Sequence, residues 1–243
     1  MGKYKNINIY IITIAVILFC LTSCDEHEAA QPVDLFYHPG YIVGDDGRVY
    51  TTVEQLLQSN TKATAVIFSE LIDEQRYLAV LLNTQEPDAF CTAFVSTGVS
   101  NDINSYNGFT NTVAMQSVTG IDSVSVPGTK IYIECPIAKK AFNIHAVGQS
   151  DYLPSVAELR YLYANKDKVN KVMSALKDAG YKIDELSYNN VNEGWFWSST
   201  EVEANPANQA WLFSMFSGTI HETPKTQEHP SRLIMSYYPI INK

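Results

Sequence analysis

The chain has 243 residues, with 17 Lys and Arg against 26 Asp and Glu and 46% apolar residues. A formal net charge of −9 argues against nucleic acid or an anionic surface as partner. The length and apolar content suit one large domain or two small ones with a real core.

The chain opens with Lys3 and Lys5 ahead of an apolar run from Ile9 to Leu21, with no acidic residue before Asp25. This has the pattern of a secretory signal peptide, too short to span a bilayer as a stable helix. It ends in Leu21-Thr22-Ser23-Cys24, which resembles the lipobox of bacterial lipoproteins. On that reading residues 1–23 are removed and Cys24 is acylated. Several acyl chains, at about 0.8 kcal/mol per buried methylene, then anchor the protein to a membrane. The acidic segment DEHEAAQPVD that follows cannot bury itself and reads as a flexible tether over residues 24–34. Its Asp25, Glu26 and Glu28 resemble the surface-export signal of lipoproteins in one group of Gram-negative bacteria. The expected location is therefore the outer membrane, facing the cell exterior. With Cys20 in the signal and Cys24 acylated, Cys91 and Cys135 remain. In an oxidising compartment the pair can form a disulfide, and two separate buried thiols are the equal alternative.

Along the mature chain, Gly44-Asp45-Asp46-Gly47 predicts a turn leading into residues 48–51. The runs TAVIFS (64–69) and YLAVLL (77–82), separated by IDEQR, predict a hairpin or two neighbouring strands. Residues 96–128 are rich in Ser, Asn, Thr and Gly and predict long loops around short strands; KIYIEC (130–135) alternates and predicts a strand. Ser155 with Glu158 three residues on is a capping box, followed by an apolar stripe of Leu159, Leu162 and Tyr163. Val169, Val172, Met173 and Leu176 predict a second helix, with Gly180 as its left-handed stop. Strands are predicted again at 195–199, 210–216, 219–222 and 232–238. Strands, two helices and strands again define an α+β class, not the βαβ alternation of a parallel sheet.

All three tryptophans fall within GWFWSSTEVEANPANQAWLF, residues 194–213. Trp195 and Trp197 share a strand face, and Trp211, Phe213 and Met215 form a second row. Pairing of the two strands brings the indoles near one another, with Trp195 and Trp197 in the core and Trp211 at the loop edge.

Leu153-Pro154-Ser155, Glu158-Leu159, Trp197-Ser198-Ser199-Thr200-Glu201, Ala210-Trp211, Gly218 and Arg232 together resemble the recurring pattern of the Lcl C-terminal domain family. The match covers about residues 153–234, and one departure is Tyr152, where that family often has a basic residue. The resemblance implies one C-type-lectin-like domain over residues 35–243, two helices packed on short, largely antiparallel sheets with long loops. It also implies a binding or adhesion role for a bacterial surface domain, with a glycan or protein as ligand. In such a fold the Trp-Ser-Ser-Thr-Glu strand is scaffold and the polar insert EVEANPANQ lies at the ligand face. The candidate ligand residues are Glu201, Asn205, Asn208, Gln209, Trp211 and Arg232. A subunit of a fimbria-like surface assembly is the alternative role, and a divergent enzyme of the formylglycine-generating type a third.

Glu86-Pro87-Asp88 superficially matches a calcium-lectin loop, but it precedes the helices and no Trp-Asn-Asp follows. The histidines have no HExxH spacing, and no Gly-rich phosphate loop or Gly-x-Ser-x-Gly elbow occurs. Enzymes of the related architecture use late-chain cysteines, and this chain has none after Cys135. The expectation is a non-catalytic protein without metal or cofactor.

Overall fold

The computed structural model describes residues 36–122, 128, 130–145 and 149–239. The signal peptide, Cys24 and the whole of the tether lie outside them. The described residues make one compact unit.

The early part supplies β1 (Ile42–Gly44), β2 (Val49–Tyr50), a short helix α1 (Val53–Gln58), β3 (Ala63–Ile67), β4 (Tyr77–Leu81) and β5 (Gln85–Ala89). The predicted β3–β4 hairpin is present, with Val66 opposite Val80. Asp73 and Glu74 of its turn take positive φ values of 52° and 55°. Then come α2 (Gly108–Gln116), β6 (Gly120–Asp122), β7 (Ile131–Ile133), the single turn α3 (Pro136–Lys139) and β8 (Asp151–Tyr152). The helix pair follows as predicted, α4 (Val156–Ala164) and α5 (Lys166–Asp178). The Ser155 side chain accepts from the Glu158 N–H while the Glu158 carboxylate accepts from the Ser155 N–H, closing the capping box. The chain finishes its described course in β9 (Trp195–Glu201), β10 (Gln209–Ser214), β11 (Ile220–Pro224), β12 (Glu228–Ser231) and β13 (Ile234–Tyr237). The fold is α+β. Among the described residues no helix is long and apolar enough to cross a membrane.

Six strands form the principal sheet, in the order β2-β1-β3-β4-β13-β8. Its alternation feeds two cores. Ile42, Val66, Leu78, Val80 and Ile234 face α1, α4 and α5, meeting Leu56, Leu159, Leu162, Met173 and Leu176. Val43, Ala65, Ala79, Met235 and Tyr237 face the other way, where Phe90, Met115, Ile137, Leu153, Trp197 and Leu212 close the second core. A three-stranded sheet β11-β10-β9 and the pairs β12-β5 and β6-β7 complete the strands.

The tryptophan strands pair, with Trp197 opposite Leu212 and a bulge between Ala210 and Leu212. Trp197 is wholly buried and donates its indole N–H to the Asp88 carbonyl at 3.0 Å. The expected gathering of three indoles does not occur. Trp195 and Trp197 serve the second core, whereas Phe213 and Met215 serve the first. The rings of Trp195 and Trp197 pack instead on His221 and on Phe90 and His229.

Candidate functional site

A groove of about 670 Å³ lies where β8, β13 and the start of α2 converge. This falls within the ~300–1,000 Å³ typical of small-ligand sites. Arg76 enters from the head of β4, Tyr106 from the segment just before the Asn107 cap of α2, Phe109 from the first turn of α2, Tyr152 from β8, and Ser236 and Tyr238 from β13 and its exit. Phe109 packs edge-to-face on Phe142 and on the buried Tyr152, and Tyr106 on Tyr161. Tyr106, Phe109 and Tyr238 stay 41%, 43% and 50% exposed. Tyr106 and Phe109, held by ring contacts yet open to water, make a preformed apolar wall that Tyr238 extends.

The polar floor is a connected chain. Arg76 donates through Nη1 to the Ser236 hydroxyl at 3.1 Å and through Nη2 to the Tyr106 carbonyl at 3.2 Å. Ser236 Oγ lies 3.0 Å from the Tyr152 hydroxyl, which donates to Glu158 at 3.3 Å. Burial pushes the Glu158 carboxyl above its ordinary value, against the pull of the Ser155 hydrogen bonds and of Arg76. The Tyr152 phenol is driven up by its own burial and by Glu158. The same capping box that starts α4 therefore ends the polar floor of the groove.

Placement of α2 depends on one close approach. A Cβ on Gly108 would collide with the Glu158 carboxylate and would stand 2.7 Å from the Leu153 carbonyl. Glycine lets the helix N-terminus seat against the capping box, and Thr112 clamps it by accepting the Leu153 N–H at 3.0 Å. An adjoining depression lined by Asn104, Ala157, Arg160 and Tyr161 shares Tyr106 with the groove.

The residues expected at the ligand face are not assembled there. Glu201 is buried, 1% exposed, and ion-pairs with the wholly buried Lys225. It also accepts from the Thr97 N–H at 2.7 Å, the Thr97 hydroxyl at 2.9 Å and the Ser96 hydroxyl at 3.3 Å. Lys225 in turn donates to the Val95 carbonyl at 2.8 Å, so the pair ties the 91–97 loop to β9. Arg232 is also buried; it donates to the Thr84 hydroxyl at 3.0 Å and to the Leu82 carbonyl at 2.9 Å, and burial pulls it down to about 10. Both charged residues are therefore interior, correcting their expected place on a ligand face, because each finds fixed partners far away in sequence. Asn205, Asn208 and Gln209 form a compact turn: the Asn208 amide donates to Asn205 at 2.6 Å and the Asn205 amide to Gln209 at 3.4 Å. Trp211 is half-buried at the β10 bulge, and its indole N–H is enclosed without a partner.

Cys91 and Cys135 are free, buried thiols in hydrogen-bonding contact with each other. That contact, with the nearby Lys225, holds Cys91 at about 7, while it drives Cys135 up. Glu86-Pro87-Asp88 lies in β5, where Lys140 pairs with Asp88 at 3.1 Å. No group of three His, Cys, Asp or Glu is placed to hold a metal among the described residues.

No family model, curated protein or solved structure matches the chain.

Proposed function

We propose that this chain is a surface-anchored, non-catalytic binding lipoprotein with a C-type-lectin-like domain, and that its ligand face is the groove lined by Arg76, Tyr106, Phe109, Tyr152, Ser236 and Tyr238. The observation that carries this reading is the set of three half-exposed rings, two of them, Tyr106 and Phe109, held by ring contacts, lining one groove with a hydrogen-bonded guanidinium. Such a surface offers apolar contact and directional donors at low ordering cost. The lipid anchor rests on Leu21-Thr22-Ser23-Cys24. The Asn205–Gln209 turn spends its amides internally and has less to offer a ligand.

Two measurements test this. Glycan and peptide arrays should show capture by the wild-type protein that Tyr106→Ala and Phe109→Ala weaken and that Asn205→Ala/Asn208→Ala leaves intact. The reverse pattern returns the site to the polar insert. Replacing Cys24 with Ser should move the protein from the membrane to the soluble fraction, and an unchanged distribution without a lipid adduct refutes the anchor.

A further inference from the structure

The groove sets three chemical demands on whatever fills it. The first comes from Arg76, whose side chain is only 16% exposed. Its two hydrogen-bond acceptors in the groove, Ser236 Oγ and the Tyr106 carbonyl, are neutral. The nearest carboxylate, Asp73, stands 3.9 Å away and is 74% exposed, a contact that solvent largely screens. A guanidinium carries five N–H donors, and the two hydrogen bonds fix its plane, while the buried Glu158 acts on it through space without an ion-pair contact. A carboxylate is the group that best meets such a fork.

The second demand comes from Gln149, which also lines the groove and whose side-chain Oε1 is enclosed without a hydrogen-bond partner. An unmet buried acceptor is costly, and a turn about the soft terminal torsion of glutamine would relieve that cost if it brought the oxygen to a donor held in the groove. It requires an N–H or O–H donor. The third demand is apolar: Tyr106, Phe109 and Tyr238 present ring surface that water covers poorly.

We propose that the groove binds an α-amido carboxylate with an apolar side chain, the chemistry of a peptide's carboxyl-terminal residue or of a free N-acylated amino acid. The carboxylate sits on Arg76, the amide N–H donates to Gln149 Oε1, and the side chain lies against the rings of Phe109, Tyr106 and Tyr238. This assignment rests on the groove being the ligand face. The acidic surface of the protein as a whole gives such an anion no long-range attraction, so the local fork and the rings carry the selectivity.

The test is calorimetric titration of the detergent-solubilised full chain with N-acetyl-phenylalanine, its carboxamide, 3-phenylpropionate, glucuronate, and an acetylated tetrapeptide ending in phenylalanine. Expected are binding of N-acetyl-phenylalanine, a loss of about tenfold on amidation and on Arg76→Gln, and a loss of severalfold for 3-phenylpropionate and for Gln149→Leu. Phe109→Ala, at an exposed ring, should fold normally and weaken every probe, which guards against an Arg76 variant that is merely misfolded. Tighter binding of the tetrapeptide than of N-acetyl-phenylalanine marks a peptide terminus as the source; equal binding marks the free acyl amino acid. If the carboxamide binds as well as the acid, or glucuronate binds best, the assigned chemistry is overturned while loss in Phe109→Ala keeps the groove as the site. Binding that neither Arg76→Gln nor Phe109→Ala changes overturns both, and no binding at millimolar concentration overturns the proposal.

Discussion

The buried pair of Lys225 and Glu201 makes a quantitative prediction that separates scaffold from surface. Replacing Lys225 with Met leaves the Glu201 carboxylate enclosed with three donors, the Thr97 N–H, the Thr97 hydroxyl and the Ser96 hydroxyl. Removing one partner of a buried pair costs ~3–5 kcal/mol, and the surviving donors hold this change near the lower limit, at about 3 kcal/mol. Glu201→Leu strands the Lys225 ammonium between the Val95 carbonyl and the Phe90 ring, 5.2 Å from its centroid, and orphans the Thr97 N–H. That change belongs near the upper limit, at about 5 kcal/mol. The double variant Lys225→Met/Glu201→Leu removes both charges and leaves the Thr97 N–H and the Val95 carbonyl unmet, about 2 kcal/mol at ~1 kcal/mol each, the Thr97 and Ser96 hydroxyls being free to rotate away. The double variant should thus be more stable than either single one. At ~2–4 °C per kcal/mol for a domain of this size, Lys225→Met should lower Tm by about 6–12 °C. Denaturant melts of the four proteins at neutral pH measure all three quantities. Single changes that cost under about 1 kcal/mol, or effects that add within about 0.5 kcal/mol, would mean the pair is solvated and Glu201 is available to a ligand after all.

Trp197→Ala removes a wholly buried ring and its hydrogen bond to Asp88, and should cost about 3–5 kcal/mol in the same melts; normal folding would displace Trp197 from the core. Burial raises Glu158 above its unfolded value, so the folded state binds that proton more tightly and bears a penalty that is absent below about pH 4.5 and complete above the raised value. Melts from about pH 4 to pH 7 should therefore show Glu158→Gln gaining on the wild type as pH rises, and the opposite drift contradicts the buried carboxyl. If the chain is exported as proposed, the Cys91–Cys135 pair, in contact and with a Cys91 thiol at about 7, should be found oxidised. Alkylation after unfolding, read by mass spectrometry, should then label neither thiol, and reduction should lower stability by about 4 kcal/mol or less for a loop of this length. Full labelling without reductant refutes it.

The capping box and the Trp197 strand were legible because their signals are local: a Ser with Glu three residues on, and two indoles two residues apart. α2 was not, because its pattern is inverted. Its buried positions are Gly108, Asn111, Thr112 and Met115, while Phe109 and Val113 are 43% and 44% exposed. A helix that hides polar residues and shows aromatic ones reads as loop in a Ser, Asn, Thr-rich stretch. That inversion is also the missed signal for the groove, whose lining comes from separate segments between Arg76 and Pro239. Glu201 and Arg232 were misplaced for a related reason. Charge favours the surface unless a partner exists, and Lys225, Thr97 and Thr84 are partners only in three dimensions.

The position of β13 bears on when the chain can fold. It lies inside the principal sheet, between β4 and β8, and sets Ile234 against both Val80 and Tyr152. Until residues 234–237 are available, β4 has an open apolar edge and neither core is closed. Folding in the order of synthesis therefore stalls with β3 and β4 paired and waits for a contact of long sequence separation, which is slow to form. Such a chain stays threadable until its final strand arrives. Were the chain carried unfolded through a translocation channel, as the proposed anchor implies, this topology would keep the principal sheet open until residues 234–237 had passed.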